Sequence, residues 1–162
     1  MLRLSLQTSI AMSSDPKIKA KQDLDLEIGR SFERKFAEKL GGDVIWATKE
    51  QDIYQHWDLE HNGIKYDVKG DKGDYHWIEF QNVVGRKGWI YGEADAIAFY
   101  IYDLWVIVDR LELLEWCRVK IPNIPAVHEV SLYTPRRRNK RKDIAVMVKH
   151  SDLINLANKI IE

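Results

Sequence analysis

From residue 24 to residue 40, apolar side chains recur every four positions, at Leu24, Ile28, Phe32, Phe36 and Leu40. That is the spacing of one face of an α-helix, and Gly41-Gly42 follows as glycine does past a helix C-terminus. Val44-Ile45-Trp46 predicts a short strand, and the polar stretch 48–55 predicts a loop. Alternation of apolar and polar residues then takes over at 56–60 and 64–69, on either side of His61-Asn62-Gly63. Asn-Gly between two alternating segments is a strong signal for a tight β-hairpin. A loop rich in Gly and Asp leads to a further alternating segment at 77–81, and two apolar strands at 96–100 and 104–108 meet at Tyr102-Asp103. The remainder predicts a short helix at 110–117, a loop marked by Pro122 and Pro125, strands at 129–133 and 144–149, and a last helix at 151–161 with Ser151 as its N-cap. This order predicts one α/β (α+β) domain over 23–162, a mixed central sheet flanked by helices, behind a flexible tail at 1–22.

The hairpin sorts its side chains by the period of two that a strand imposes. With Asn62-Gly63 as the turn, Glu60 faces Lys65, Leu59 faces Tyr66, Asp58 faces Asp67, Trp57 faces Val68 and His56 faces Lys69. Trp57, Leu59, Ile64, Tyr66 and Val68 then share an apolar face, while Asp58, Glu60, Lys65, Asp67 and Lys69 share the other. Two aspartates directly opposed are an anomaly, because like charges across a ladder are destabilising. At about 4 Å and an effective dielectric near 20 they repel by roughly 4 kcal/mol. A hard divalent cation converts that repulsion into a binding site, since Mg²⁺ accepts one or two carboxylates and keeps several waters. Lys69, two residues beyond Asp67, projects from the same face, where an ammonium can hold an attacking water or offset charge on a phosphate.

The segment Asp58-Leu-Glu-His-Asn-Gly-Ile-Lys-Tyr-Asp67-Val-Lys69 resembles the motif of the PD-(D/E)xK nucleases, an aspartate on one hairpin strand and Asp-x-Lys on the next. Trp57 stands where the family name has proline, a position often changed among members. The resemblance implies a restriction-endonuclease-like core of helix, strand, hairpin, helix and strand over roughly 24–108. It implies Asp58, Asp67 and the Val68 carbonyl as ligands of Mg²⁺ or Mn²⁺, and Lys69 as the residue that positions water. Members often add an acid from the preceding helix; Glu33, at the edge of the apolar stripe, fits that role, with Glu27 a weaker substitute. A polar residue soon after Asp-x-Lys is also common, which points to Gln81 and less strongly to Glu79. Many members cut two strands as dimers, so a homodimer is one arrangement the resemblance allows, although no interface signature is evident.

Charge changes this picture only locally. Lys plus Arg and Asp plus Glu number 25 each, so any attraction for nucleic acid must come from clusters. One exists at Arg136, Arg137, Arg138, Lys140, Arg141 and Lys142, a run able to bind phosphates through counterion release. Arg86-Lys87, between glycines, offers a second contact, with Trp89 as a ring for stacking a base. DNA is a better expected partner than RNA. The lone Cys117 cannot form an internal disulfide and reads as a buried thiol, which suits a reducing, intracellular setting. No apolar run approaches the roughly 18–20 residues of a membrane span, and no signal peptide is apparent. The histidines lack zinc-ligand spacing, and there is no Walker or Rossmann glycine motif. The expectation is a Mg²⁺-dependent endonuclease acting on DNA. Its rivals are a non-catalytic nucleic-acid-binding protein that uses the 136–142 run, and an interaction protein that docks a partner through its Trp- and Tyr-rich surface.

Overall fold

The structure, a computed structural model, describes residues 15–71, 73–120 and 143–162. The expected strand at 129–133 and the basic run 136–142 lie outside the described residues. Helix α1 spans Pro16–Leu40 and begins well before Leu24, so part of the expected tail is helical. The reason is local: the Asp15 carboxylate accepts from the Lys17 N–H at 2.9 Å, and Pro16 takes the first helical position, where its missing N–H costs nothing. The stripe that predicted the helix is only partly used. Leu24 and Ile28 are exposed, while Gly29, Glu33 and Phe36 are buried.

Strand β1 (Ile45–Trp46) is followed by a π-helical turn at Gln51–Gln55, then β2 (Leu59–His61), β3 (Ile64–Lys69), β4 (Tyr75–Gln81), a 3-10 turn at Trp89–Tyr91, β5 (Ala96–Ile101), β6 (Leu104–Asp109), α2 (Arg110–Lys120), β7 (Ile144–Lys149), α3 (His150–Asn155) and β8 (Lys159–Ile161). The order in the main sheet is β1-β2-β3-β5-β6-β8, with β3 and β5 parallel and the other pairs antiparallel. The fold is therefore α+β with a mixed sheet, as the element order predicts. Strands β4 and β7 form a separate antiparallel pair. The crossover between the two parallel strands is thus β4 and a 3-10 turn, where the family resemblance implies a helix.

The last segment also differs from expectation. Helix α3 starts at His150, with no side-chain cap from Ser151, and stops at Asn155. Residues Lys159–Ile161 instead pair with the outer edge of β6. Asn158 fixes that turn: its N–H donates to the Ile107 carbonyl at 2.9 Å, and its side-chain oxygen accepts from the Asp109 N–H. An unpaired sheet edge outweighs the helical reading of an isolated segment.

Alternation along β5 divides the interior in two. Ala96 and Ala98 face α1 in a cluster with Phe36, Leu59, Tyr66, Val68 and Trp105. Ile97, Phe99 and Ile101 face the other way, into a larger cluster with Ile78, Phe80, Trp89, Val146 and Leu153. In β3, Asp67 is registered with Ile97 and Lys69 with Phe99, so both charged residues point into the second layer. Asp95 braces the start of these parallel strands, its carboxylate accepting from the Lys65 N–H at 2.9 Å. Cys117 is buried, and burial pushes its thiol up to about 12. Among the described residues no helix is long and apolar enough to cross a membrane.

Gly70, immediately after Lys69, lets β3 approach α1: a Cβ there would overlap the Phe32 ring. Gly70→Ala is expected to cost about 1–3 kcal/mol of stability through overpacking, read as a lower urea midpoint with an unchanged slope.

Candidate active site

The Asn62-Gly63 turn, with both residues at positive φ (52° and 79°), sets the hairpin register. Leu59, Glu60 and His61 face Tyr66, Lys65 and Ile64 as the sequence predicts. The ladder then slips. The Asp58 N–H donates to the Tyr66 carbonyl at 2.8 Å, although Tyr66 is already registered with Leu59. One extra residue on one strand is the arrangement of a β-bulge, and β2 begins only after it. Asp58 is consequently not a strand residue squarely opposite Asp67. Its carboxylate instead accepts from the Val68 N–H at 2.8 Å, taking the place of the carbonyl that a continued strand would offer. A residue's N–H and C=O point the same way in a strand, so the Val68 carbonyl faces this same interrupted edge. The slip also moves Trp57, expected beside Leu59 and Tyr66, into the opposite cluster; the Lys65 ammonium lies 5.1 Å from its ring centroid.

Asp67 and Lys69 do share a face, but that face is dry. Asp67 is 2% exposed and Lys69 5%. The ammonium lies 2.7 Å from Asp67 Oδ1 and 4.5 Å from the centroid of Trp89. Asp67 Oδ2 is buried without a hydrogen-bond partner. Burial pushes the Asp67 carboxyl above its ordinary range; Lys69 and a side-chain hydrogen bond with Asp58 pull against this, and Asp52 adds to it. The two aspartates thus meet, as the hairpin predicts, by a route the simple register does not describe.

A cavity of about 380 Å³ opens beside Asp58, lined also by Glu33, Asp52, Arg30, Arg34, Trp46 and Ala47. Glu33 is buried and faces it from α1, the position expected of it. Glu27 is exposed and held by Arg34 at 2.8 Å. Asp52 is buried in the π-helical turn; nothing in its periodicity distinguishes it, and only its acidity close before Asp58 could have drawn attention. Gln81 is half-buried and Glu79 buried on β4, in a different sheet from Asp67. Arg86 and Lys87 are exposed in the turn after β4, where Asn82 accepts from the Arg86 N–H at 2.9 Å. Trp89 is not available for stacking a base: it is buried under Lys69. Among the described residues no three His, Cys, Asp or Glu side chains already form a metal cage; Lys69 occupies one Asp67 oxygen instead. The donor set nonetheless suits a hard cation, with carboxylate and carbonyl oxygens at one strand edge and a buried carboxylate oxygen lacking a partner. No known family, curated protein or solved structure matches the chain.

A half-buried histidine lies close to Lys69 without adding charge beside it. His56, at positive φ, is lowered to about 4, chiefly by burial and then by Lys69, against a hydrogen bond with the Lys87 backbone. Burial likewise lowers His76 and His150, whose rings lie 5.0 Å apart. In the interval from about 6.5 down to about 4 the unfolded chain binds more protons than the folded one, so stability falls as pH falls. His56→Gln is expected to remove on the order of 2 kcal/mol of that loss, measured as a shallower dependence of urea-unfolding free energy on pH.

Proposed function

We propose that this protein is a metal-dependent nuclease of the PD-(D/E)xK type, with a restriction-endonuclease-like core, that hydrolyses phosphodiester bonds within DNA. One observation carries the reading: two buried aspartates, Asp58 and Asp67, meet at an interrupted strand edge, with the Lys69 ammonium 2.7 Å from one and an Asp67 oxygen left without a partner. Asp58, Asp67 and the Val68 carbonyl would hold Mg²⁺ or Mn²⁺, with Glu33 reaching in from α1. When bound, the cation supplies Lewis acidity to water and phosphate and neutralises developing charge.

The remaining work falls to the protein. Lys69 orients the attacking water and donates to the phosphate, and its burial against Trp89 strengthens both interactions by lowering the local dielectric. Asp67 holds the Lys69 ammonium in place through the 2.7 Å ion pair. His56 stays neutral at physiological pH, so it does not repel that ammonium. Arg86 and Lys87 contribute phosphate contacts, as does the run 136–142, and Gln81 is a candidate polar contact to the same strand. The departure of the crossover from the family's helix bears on the wider core and leaves the hairpin chemistry intact.

Incubating plasmid and single-stranded DNA with Mg²⁺, Mn²⁺ or EDTA tests this. Cutting is expected only with the divalent ion, and Asp58→Ala or Asp67→Ala should reduce it by at least about 10²–10³-fold while leaving binding largely intact. Mg²⁺ should raise the melting temperature of the wild type but not of Asp67→Ala. Full metal-dependent cutting by either variant would sink the assignment. Binding with no metal-dependent cutting would favour the non-catalytic rival.

A further inference from the structure

The cavity beside Asp58 has a second set of residues that the proposed metal chemistry does not use. Arg30 and Arg34 line it from α1, one turn apart, so they rise from the same face of the helix. Arg34 is engaged by Glu27 at 2.8 Å on the exposed side. Among the described residues no carboxylate forms an ion pair with Arg30. Across from them stands Trp46, on the edge strand β1 and 47% exposed, whereas Trp57, Trp89 and Trp105 are 3%, 4% and 2% exposed. A half-exposed indole forgoes much of the burial that makes tryptophan useful in a core. Here it forms one wall of a cavity whose other walls carry guanidinium groups and carboxylates.

Resting on the nuclease reading, we infer that this cavity binds one unpaired nucleotide of the substrate strand, with its base stacked on Trp46 and its phosphate paired with Arg30. The chemistry is specific to a strand with a free base. A duplex can present phosphates to an arginine, but its base faces are already stacked and reach an indole only when extruded or unpaired. The volume, about 380 Å³, lies within the range of sites that enclose a single small ligand. Asp58 lies in the same lining, so a nucleotide seated here brings its neighbouring phosphate to the proposed site of cutting. The consequence is a preference for single-stranded or frayed DNA over intact duplex.

Fluorescence anisotropy in EDTA, where no metal-dependent cutting occurs, reads this directly. The probe is a 5′-labelled mixed-sequence 12-mer, single-stranded or annealed to its complement. Trp46→Ala is expected to weaken single-strand binding by roughly 5–100-fold, the range for loss of one stacked base, and to leave duplex binding unchanged. Trp46→Phe should restore most of the affinity. Arg30→Gln should weaken binding and lower the slope of log affinity against log salt by about 1. An oligomer with abasic sites in place of bases should bind wild type and Trp46→Ala alike. Circular dichroism of Trp46→Ala, which removes an exposed side chain, checks that the fold is retained. Equal single-strand affinity for a folded Trp46→Ala and wild type overturns the inference, and so does an equal loss on duplex and single strand. If Trp46 proves irrelevant while Asp67→Ala still abolishes Mg²⁺-dependent cutting, the cavity assignment fails and the nuclease reading stands. If single-strand binding depends on Trp46 and no divalent ion elicits cutting, the nucleotide site stands and the nuclease reading fails.

Discussion

A lysine and an aspartate held 2.7 Å apart, each almost fully removed from water, set the terms for the rest of the structure. Taking two charges out of solvent costs several kcal/mol per ion, which their attraction offsets only when geometry is good and other polar atoms are satisfied. Asp67 and Lys69 lie on the side of β3 away from α1, so the cover must come from the chain that follows. That is the role of the long crossover: β4 leaves the main sheet, pairs with β7, and the 3-10 turn brings Trp89 beneath the ammonium. A helix at this place would supply an apolar stripe. Two strands and an aromatic ring supply a flatter lid, with His76 and Phe99 in ring contact inside it.

The second constraint is the short β2. Because the ladder slips at Asp58, the edge of β3 lacks a partner strand at Val68, and a carboxylate fills the gap. The defect gathers oxygen atoms where a regular sheet would have buried them in ladder hydrogen bonds. It also opens the sheet edge to Glu33 on α1 and to Asp52 in the π-helical turn, both in the cavity lining with Asp58. Acidic residues from a helix, a turn and the segment entering β2 can line one cavity here because the regular pairing stops. Gly92 allows the same closeness on the far side: a Cβ there would meet His56 Cβ at 2.6 Å, so the turn before Asp58 packs directly on the segment entering β5.

What the sequence discloses follows from the range of the interactions involved. The Asn62-Gly63 turn acts over a few residues, so the register of Leu59, Glu60 and His61 is readable, as is the tight link between β5 and β6, where Tyr102 and Asp103 both adopt positive φ. The alternation at 65–69 correctly separates Asp67 and Lys69 from Tyr66 and Val68. It does not say which side is wet, because a polar face and a buried ionic face have the same pattern. Trp57 is misassigned because strand parity holds only while the ladder is regular. The pairing of β4 with β7 and of β8 with β6 joins segments far apart in sequence, and no local propensity encodes either. Asp52 is silent for the same reason, since its burial depends on where the turn docks. The start of α1 was legible in principle: Asp15-Pro16 is a cap followed by a first-turn proline, obscured by the absence of an apolar stripe.

Stability alone does not account for the ionic pair. Replacing a buried salt bridge by apolar residues of similar volume is often neutral or stabilising, and the surroundings of Lys69 are already apolar or aromatic. Burial also keeps His56, close to Lys69, at about 4, and holds His76 below the ordinary imidazole range. Among the described residues the ammonium forms an ion pair with one carboxylate, Asp67, which also contacts Asp58 and carries an oxygen with no hydrogen-bond partner. Such an arrangement spends stability to hold a positive group and two acids in fixed relation at an open strand edge. Perturbed carboxyls such as Asp67 cluster where chemistry is done, and catalysis by preorganised charge requires this kind of rigid, desolvated placement before substrate arrives. The cost of the pair is intelligible under the proposed function, in which two acids, a carbonyl and a buried lysine would together serve the hydrolysis of a phosphate ester.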